Sequence, residues 1–405
     1  MVKTLGRRLF LGAMAGAACR AFEGEEDAEV IYQRNDWFPL RRRIGPNSPA
    51  LHRAAVATAF HRVKEAESLL KPIIRAGGPP AVDASEHLIN LNMRMGKFRA
   101  ALQATETGLR LAPDKPDFRN ARELFLGLAQ FPEMKLIRAK PSRIVSEDGE
   151  LGGEISINGH RALYFWDSGA DLSVTTVSEV ERLGLRMLSS KATVGNSAGG
   201  QIELKLALAR RVTIGECELE NVPFLVFRDD QQPFSDVSQE ERGLIGLPVQ
   251  FALGGFRWKP KGELEVGSIR NSQLSTEPNL CFNGSKPLTE FRFQDTPLTA
   301  QLDTGAVSTD LWPPFARRFP EILEGVKRGK QTIGGIGQNA DFEAAVVDRI
   351  SLELGGMPLV LAPAPVYLEK IHSGSERYYA NIGMELLRQA ARVTLDFRMM
   401  RLTLQ

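Results

Sequence analysis

The chain has 405 residues, of which 43% are hydrophobic, and its formal net charge at pH 7 is +2. This length accommodates two or three domains, and the hydrophobic content is that of a globular protein. Because the charge is close to neutral, it gives no general attraction to nucleic acid or to an anionic membrane surface. We therefore expect a multidomain globular protein whose partners include no nucleic acid.

Residues 1–23 have the composition of an export signal. Arg7 and Arg8 stand before an apolar run of about ten residues, Leu9 to Ala18, and small residues follow. The run is too short to span a membrane, which takes about 20 residues, and the paired arginines resemble the twin-arginine signal of bacteria. We expect a bacterial protein exported to the periplasm or out of the cell, with a docked N-terminal helix as the alternative. Cys19 lacks the leucine that usually precedes a lipid-modified cysteine, so a lipid anchor there is the weaker hypothesis.

Residues 48–135 follow a helical period and form the first predicted domain. They are rich in Ala, Leu, Arg and Glu and contain few β-branched residues. Met95 to Pro116 resembles the second helix of a tetratricopeptide repeat, and a weaker copy precedes it at the repeat's spacing, with Ala66 aligned on Ala101. The spacing predicts two helical pairs and a capping helix, which serve as a scaffold or as a docking surface for a protein partner. A small helical bundle packed against the rest of the chain is the alternative.

Strand signals replace the helical period after Pro141 and continue to the end of the chain. Alternating apolar residues and valine- or leucine-rich runs are separated by Gly, Asn and Pro. A polar stretch at residues 271–279 reads as a linker between a first lobe at 140–270 and a second lobe at 280–405. The predicted fold class is therefore an all-α helical repeat followed by an all-β region of two lobes.

The two predicted lobes share one series of motifs in one register. Asp-Ser-Gly-Ala begins at Asp167 and Asp-Thr-Gly-Ala at Asp303, each after an apolar run. Each motif is followed by a glycine-rich hairpin tip and then by an Ile-Gly pair: Val194 to Gly200 and Ile245-Gly246 in the first lobe, Ile333 to Gln338 and Ile382-Gly383 in the second. Because order and spacing both repeat, we infer a duplication that puts the two aspartates at equivalent strand ends.

This doubled pattern resembles the pepsin-like and retropepsin-like aspartic proteases over residues 140–405. That family is marked by an apolar residue before Asp-Thr/Ser-Gly and, after a β-hairpin flap, by two apolar residues and a glycine that cross under the active-site loop. Two copies in one chain resemble the bilobal acid-protease fold. The sequence departs from the family pattern in the bulky Trp166, in a first flap without tyrosine, and in Asn381, where an apolar residue is usual.

The resemblance implies one active site in which Asp167 and Asp303 are the catalytic pair. Two carboxylates about 3 Å apart cannot both ionise easily, so they share one proton. The ionised member then takes a proton from water while the protonated member polarises the peptide carbonyl. This chemistry needs no covalent intermediate, no cofactor and no metal.

The residues around the pair have predicted supporting roles. The hydroxyls of Ser168 and Thr304 can hydrogen-bond across to the backbone of the opposite loop. Gly169 and Gly305 allow a tight turn whose N–H groups donate to the carboxylates. The other predicted site residues support the loops from below or contact a bound peptide from the flaps: Ile245, Gly246, Ile382 and Gly383 in the first group, and Gly195, Gly199, Gly200, Gly334, Gly335, Gly337 and Gln338 in the second.

Cys217 and Cys281 lie one in each predicted lobe. Two cysteines match no metal-ligand spacing and no disulfide framework of a small secreted domain. We expect two buried apolar thiols, with a single bridge between the lobes as the alternative.

Together these observations predict an aspartic endopeptidase that acts on peptide or protein substrates. One alternative keeps the enzyme but pairs each lobe with its counterpart in a second chain. Another is a non-catalytic protein whose lobes grip a peptide while the helices recruit a partner. The intact Asp, Ser/Thr and Gly of both motifs argue against that second alternative.

Overall fold

The computed structural model of the chain describes residues 26–145, 149–188, 193–195, 201–203, 205–267, 269, 277–334 and 339–405. Several predictions fall outside these residues: the export signal at 1–23 with Cys19, residues 271–276 of the linker, and the flap residues Gly199, Gly200, Gly335, Gly337 and Gln338. Within the described ranges, no helix has both the length and the apolar character that crossing a membrane requires.

The first part of the structure is helical. Its helices are α1 (Ala28–Gln33), α2 (Trp37–Arg43), α3 (Ala50–Ala59), α4 (Val63–Ala76), α5 (Pro79–Arg94), α6 (Phe98–Leu111) and α7 (Pro116–Ala129). From α2 onward each helix packs against the next, and α3 also contacts α5. The break between α4 and α5 follows from backbone chemistry, because Gly77 and Gly78 both adopt positive φ (75° and 76°) and Pro79 then fixes φ at the first helical position. The helical part begins before residue 48, the predicted start of the domain.

The first lobe is a β-sheet that curls back on itself. Its elements are β1 (Lys135–Arg138), β2 (Ser142–Val145), β3 (Gly152–Ile157), β4 (His160–Trp166), β5 (Ser173–Thr176), α8 (Val177–Arg182), β6 (Arg186–Leu188), β7 (Thr193–Gly195), β8 (Gln201–Glu203), β9 (Lys205–Ile214), β10 (Cys217–Phe227), β11 (Leu244–Ile245), α9 (Leu247–Leu253), β12 (Gly255–Lys259) and β13 (Glu263–Val266). The strand order is β1-β10-β5-β11-β4-β3-β9-β6, and β9 also pairs with β10. β7 and β8 form a separate hairpin.

The second lobe repeats this arrangement. Its elements are β14 (Leu280–Asn283), β15 (Lys286–Phe293), β16 (Thr296–Leu302), β17 (Asp310–Leu311), α10 (Pro313–Arg318), β18 (Arg328–Ile333), β19 (Ala340–Val347), β20 (Ile350–Leu354), β21 (Met357–Leu361), β22 (Ala364–Tyr367), β23 (Ala380–Ile382), α11 (Met384–Leu387), β24 (Val393–Asp396) and β25 (Arg401–Leu404). The strand order is β18-β19-β22-β17-β23-β16-β15-β20-β21, and β14 pairs with β15.

The strand orders of the two lobes correspond one to one around the predicted site. β10-β5-β11-β4-β3-β9 in the first lobe matches β22-β17-β23-β16-β15-β20 in the second. β16 begins and ends at the same sequence interval after β4 as Asp303 lies after Asp167. The same interval separates α10 from α8. The predicted fold class, a helical part followed by a two-lobed all-β part, is confirmed.

A third sheet joins the lobes. Its order is β2-β13-β12-β24-β25, so that β12 of the first lobe pairs antiparallel with β24 of the second. A methyl group on Gly255 would lie 1.9 Å from the carbonyl oxygen of Leu395, so only glycine allows this close pairing. Because backbone hydrogen bonds run from one lobe into the other, the sheet holds the two halves of the site in a fixed relation.

The helical part packs on the second lobe through an aromatic core. Trp37, Phe38 and Phe60 are each at most 5% exposed and share a cluster with Trp312 and Tyr378 of the second lobe. The Arg94 guanidinium of α5 reinforces the contact by donating to the carbonyl of Gly284, at 2.5 Å, in the β14–β15 turn. The helices are therefore a docked part of the molecule and not a separate unit.

Candidate active site

The two Asp-Ser/Thr-Gly loops start where β4 and β16 end. β11 runs parallel to β4 and β23 runs parallel to β16, so each loop has a neighbouring strand beneath it. The N–H of Asp167 donates to the Ile245 carbonyl at 3.1 Å, and the N–H of Asp303 donates to the Ile382 carbonyl at 2.9 Å. The same local pairing thus fixes the backbone of each aspartate.

Two hydroxyl groups bind the loops to each other. Thr304 Oγ1 donates to the carbonyl of Trp166 at 2.8 Å and accepts from the N–H of Ser168 at 2.9 Å. Ser168 Oγ donates to the carbonyl of Leu302 at 3.2 Å and accepts from the N–H of Thr304 at 3.1 Å. Both side chains are buried, so these four hydrogen bonds join the lobes without competition from water.

The glycines of the two motifs lie against the opposite carboxylate. The N–H of Gly169 donates to Asp167 Oδ1 at 2.7 Å, and the N–H of Gly305 donates to Asp303 Oδ1 at 3.0 Å. A methyl group on Gly169 would lie 2.6 Å from Asp303 Oδ1, and one on Gly305 would lie 2.5 Å from Asp167 Cγ. The structure therefore brings Asp167 and Asp303 together within one chain, with no room for a larger residue in either turn.

This arrangement perturbs the ionisation of Asp167. Burial, followed by the negative charge of Asp303, raises the pKa of Asp167 to about 7, while the N–H of Gly169 and the charge of Lys286 oppose that rise. Because the two carboxylates interact strongly, they lose their protons in two steps, and the pKa of each step belongs to the pair and not to one residue. The pair therefore retains one shared proton up to about neutral pH.

The two Ile-Gly pairs lie beneath the loops. Ile245 and Ile382 are fully buried. A methyl group on Gly246 would lie 2.2 Å from the Leu172 carbonyl carbon, and one on Gly383 would lie 2.1 Å from the Ser308 oxygen. Both glycines are therefore required by close backbone approach.

Of the predicted flap residues, the structure describes Gly195 and Gly334. Gly195 ends β7, where its backbone pairs with Gln201 of β8. Gly334 directly follows β18, which pairs with β19. A contact of either glycine with a bound peptide stays a prediction.

Gln250 supports the first loop and was missed by sequence reasoning. It is fully buried on α9, and its Nε2 donates to the carbonyls of Asp167 at 2.9 Å and Ile245 at 2.7 Å. The corresponding position of the second lobe is Leu387, which follows its Ile-Gly pair at the same interval. The available signal was an amide residue at a position where the second lobe has a leucine.

Lys286 is a second site residue that sequence reasoning missed. Although it belongs to the second lobe, its Nζ donates to the carbonyl of Gly169 at 2.7 Å and lies 3.1 Å from Asp171 Oδ1. Burial lowers the pKa of Lys286, but the negative charges of Asp171 and of the aspartate pair outweigh it, so the pKa is raised and the cation persists. The first-lobe counterpart, at the same interval before its own aspartate, is Glu150, and this reversal of charge between copies was the signal.

We predict that Lys286→Met moves the alkaline limb of the pH–activity profile to higher pH. The pair loses its shared proton as pH rises through about 7, and Lys286 holds the pKa of Asp167 down, so removing the cation raises that pKa. Since the Lys286 side chain is 43% exposed, added salt should shrink the difference. Cleavage of peptides, the activity expected from the sequence, is measured from pH 5 to 9, with Lys71→Met on α4 as the control. An unchanged alkaline limb in Lys286→Met would contradict the prediction.

The cysteines and the other common metal ligands form no metal site in the parts of the chain that the structure describes. In those ranges, no group of three or more His, Cys, Asp or Glu side chains is arranged to hold a metal ion. Cys217 and Cys281 are free and buried, as expected, and they form no bridge between the lobes. The thiol of Cys217 donates to the carbonyl of Lys140 at 3.1 Å.

The fold and the paired loops define a two-lobed β structure in which each lobe contributes one Asp-Ser/Thr-Gly loop to a shared site. The family model described as Aspartyl protease matches residues 153–249, which contain the first Asp-Ser-Gly motif and Ile245-Gly246. That match confirms the predicted resemblance to aspartic proteases. The resemblance of the helices to tetratricopeptide repeats is not tested by it and stays a prediction.

One solved structure similar to this chain is a retropepsin-like aspartic protease from Rickettsia conorii. The two are 18% identical, and the similarity covers 34% of this chain and 96% of that one, with a TM-score of 0.24. No curated protein sequence matches the chain.

Proposed function

We propose that the chain is an aspartic endopeptidase whose single active site is the pair Asp167 and Asp303. The observation that carries this proposal is the contact of the two loops within one chain. Each motif glycine lies against the carboxylate of the other lobe, and the buried hydroxyls of Ser168 and Thr304 hold that geometry. Two carboxylates held in this way share a proton, which is the state that water activation requires.

Each member of the pair has a defined role in the proposed reaction. The protonated member donates a hydrogen bond to the peptide carbonyl, while the ionised member takes a proton from the water that attacks the carbonyl carbon. The resulting tetrahedral intermediate collapses when the leaving nitrogen receives a proton from the pair and the C–N bond breaks. The pair ends with one shared proton again, ready for another water.

The geometry supports one pair per chain over a dimer with like-with-like lobes. Such a dimer would have to break the four hydrogen bonds between the Ser168 and Thr304 loops and the pairing of β12 with β24. Sedimentation of the active species tests this choice, because one pair per chain predicts activity from the monomer.

The helical part and the location of the protein complete the proposal. We propose that the helices are a scaffold or a docking surface for a protein partner; their packing on the second lobe through Trp37 and Phe38 supports the scaffold role. We further propose export, on the sequence of residues 1–23. Fractionation of cells that express the full chain tests the location.

The proposed activity is tested by incubating the chain with a diverse peptide library between pH 3 and 8, with and without pepstatin. We expect cleavage at internal peptide bonds, with activity falling as pH rises above about 7 because the shared proton is lost. Cleavage only at peptide termini would contradict an endopeptidase. No cleavage at any pH would favour the non-catalytic peptide-binding alternative.

A further inference from the structure

In each lobe a row of three side chains lies across neighbouring strands beside the catalytic aspartate. The first-lobe row is Phe165, Leu244 and Val174, in which Leu244 pairs with both of the others. The second-lobe row is Gln301, Asn381 and Asp310, in which Asn381 pairs with both of the others. The two rows occupy equivalent positions in the duplicated fold.

Both rows face the same side of the sheet as the aspartate pair. Side chains alternate along a strand, so Phe165 shares a face with Asp167, two residues on, and Gln301 shares a face with Asp303. The residues that alternate with the second-lobe row, Leu302, Leu311 and Ile382, are fully buried in the core, whereas Gln301 and Asp310 are partly exposed. In the first-lobe row, Phe165 and Leu244 are also partly exposed, whereas Val174 is buried. The partly exposed members of both rows therefore lie on the site side of their lobes.

The chemistry of the two rows is opposite. The first-lobe row is entirely apolar, whereas the second-lobe row has two amides and a carboxylate. Glu385 adds a second carboxylate to the second-lobe side. Glu385 lies two residues after Gly383, and the equivalent residue of the first lobe, two residues after Gly246, is Pro248. The duplication has thus kept the backbone and changed one side of the site from apolar to acidic.

The acidic side of the site lacks a cation in the parts of the chain that the structure describes. Asn381 is 9% exposed, and there its Oδ1 has no hydrogen-bond donor. Glu385 accepts from the N–H of Thr309 at 3.1 Å, but no lysine, arginine or histidine of those parts forms an ion pair with Asp310 or Glu385. Burial and the charges of Glu385 and Asp303 raise the pKa of Asp310 to about 6. Buried acceptors without donors and carboxylates without a cation are unfavourable, so this arrangement fits a cationic donor that comes from outside.

We propose that the second-lobe row is a substrate subsite for a basic side chain, lysine or arginine, on one side of the cleaved bond. Asp310 and Glu385 supply the negative charge, and the Asn381 side-chain oxygen accepts a hydrogen bond from the ammonium or guanidinium group. The first-lobe row takes an apolar side chain on the other side of the bond. This inference rests on the proposed endopeptidase function, since the row is defined by its position beside Asp303.

The experiment compares peptides that differ only at the residues flanking the cleaved bond, with lysine, norleucine or glutamate at each position. We expect the chain to cleave the lysine peptide with a kcat/KM at least about tenfold above that of the norleucine peptide, at one flanking position only. Glutamate at that position should be the poorest substrate, because it meets two carboxylates.

The matched variant gives two positions of the second-lobe row the residues of the first lobe, through Asp310→Val and Asn381→Leu combined. We expect its preference to reverse in favour of norleucine, and the gain on that peptide shows that the variant is folded. The exposed Asp236→Val is the control and should keep the lysine preference. Equal cleavage of lysine and norleucine peptides by the unchanged chain, or an unchanged preference in the double variant, would overturn the inference.

The pH dependence gives an independent check of the same subsite. Asp303, Glu385 and the phenol of Tyr367 interact with Asp310, and the carboxyl of Asp310 is neutral well below pH 6 and ionised above it. The ratio of lysine to norleucine cleavage should therefore rise with pH through about 6. A ratio that stays flat would count against Asp310 as the charge that selects the substrate.

Binding separates the failure of this subsite from the failure of catalysis. If no peptide is cleaved, the affinities of the same peptides for the intact chain are measured directly. Tighter binding of the lysine peptide that is lost in the double variant would support the subsite although the proposed enzyme activity had failed. Cleavage without a basic preference would support the enzyme activity and refute the subsite.

Discussion

Replacing Asp303 with Asn is expected to abolish peptide cleavage, and so is the same change at Asp167. An amide cannot take a proton from water, and it cannot share the single proton that the pair needs, so neither half of the reaction proceeds. We expect kcat/KM to fall by at least about 10³-fold in each variant. The loss should appear in kcat, because the shape of the cleft is unchanged.

The folded structure should survive both substitutions. The Asn side-chain oxygen can still accept from the N–H of Gly305 or Gly169, and the repulsion between the two carboxylates disappears. We therefore expect an unfolding temperature that is equal to or above that of the unchanged chain. The exposed Asp295→Asn, in the turn before β16, is the control and should keep full activity. Substantial cleavage by either single variant would contradict one shared pair per chain.

Much of the site was predictable because the sequence contains its pattern twice. A single Asp-Ser-Gly is weak evidence, since that sequence is common in turns. The second copy, with its own Ile-Gly pair at a matching interval, made the register of β4 and β16 and the positions of Ser168 and Thr304 predictable. The roles of these two hydroxyls, and of the glycine that follows each of them, depend on short-range chemistry within the loop. Such chemistry can be recognised from the sequence.

The helices α1 and α2 were not predictable in the same way. They have six and seven residues, which is too short for an amphipathic period to be recognised. Their stability comes from contacts with a distant part of the chain, because Trp37 and Phe38 pack in one core with Leu288 and Tyr378. Such tertiary burial leaves no local pattern in the sequence.

Sequence reasoning also missed the site residues at which the two lobes differ, although aligning the two copies would have shown these differences. In the duplicated pattern, Lys286 is equivalent to Glu150, Gln250 to Leu387, and Asp310 to Val174. Sequence reasoning used the duplication to find what the lobes share. Only the strand register and the side-chain contacts showed that the differing residues also lie at the site, where a duplicated enzyme can give its two sides different chemistry.

Thr304→Val is expected to destabilise the protein and to weaken catalysis together. Valine has nearly the same shape as threonine, so packing at this 7% exposed position is preserved and only the hydroxyl is lost. The carbonyl of Trp166 and the N–H of Ser168 then remain buried without their partner. Leaving two buried backbone groups unpaired should lower the free energy of unfolding by about 2–5 kcal/mol.

Catalysis should suffer because the same hydroxyl sets the distance between the carboxylates. Without it the loops are joined only through Ser168 Oγ, whose bonds of 3.2 and 3.1 Å are longer, and we expect kcat to fall at least about tenfold. Denaturant unfolding and peptide cleavage are measured on the same preparation, beside Thr107→Val on α6, whose hydroxyl bonds only within that helix. The control should change stability by no more than about 0.5 kcal/mol. A Thr304→Val variant as stable and as active as the control would show that the hydrogen bonds between the loops do not hold the pair.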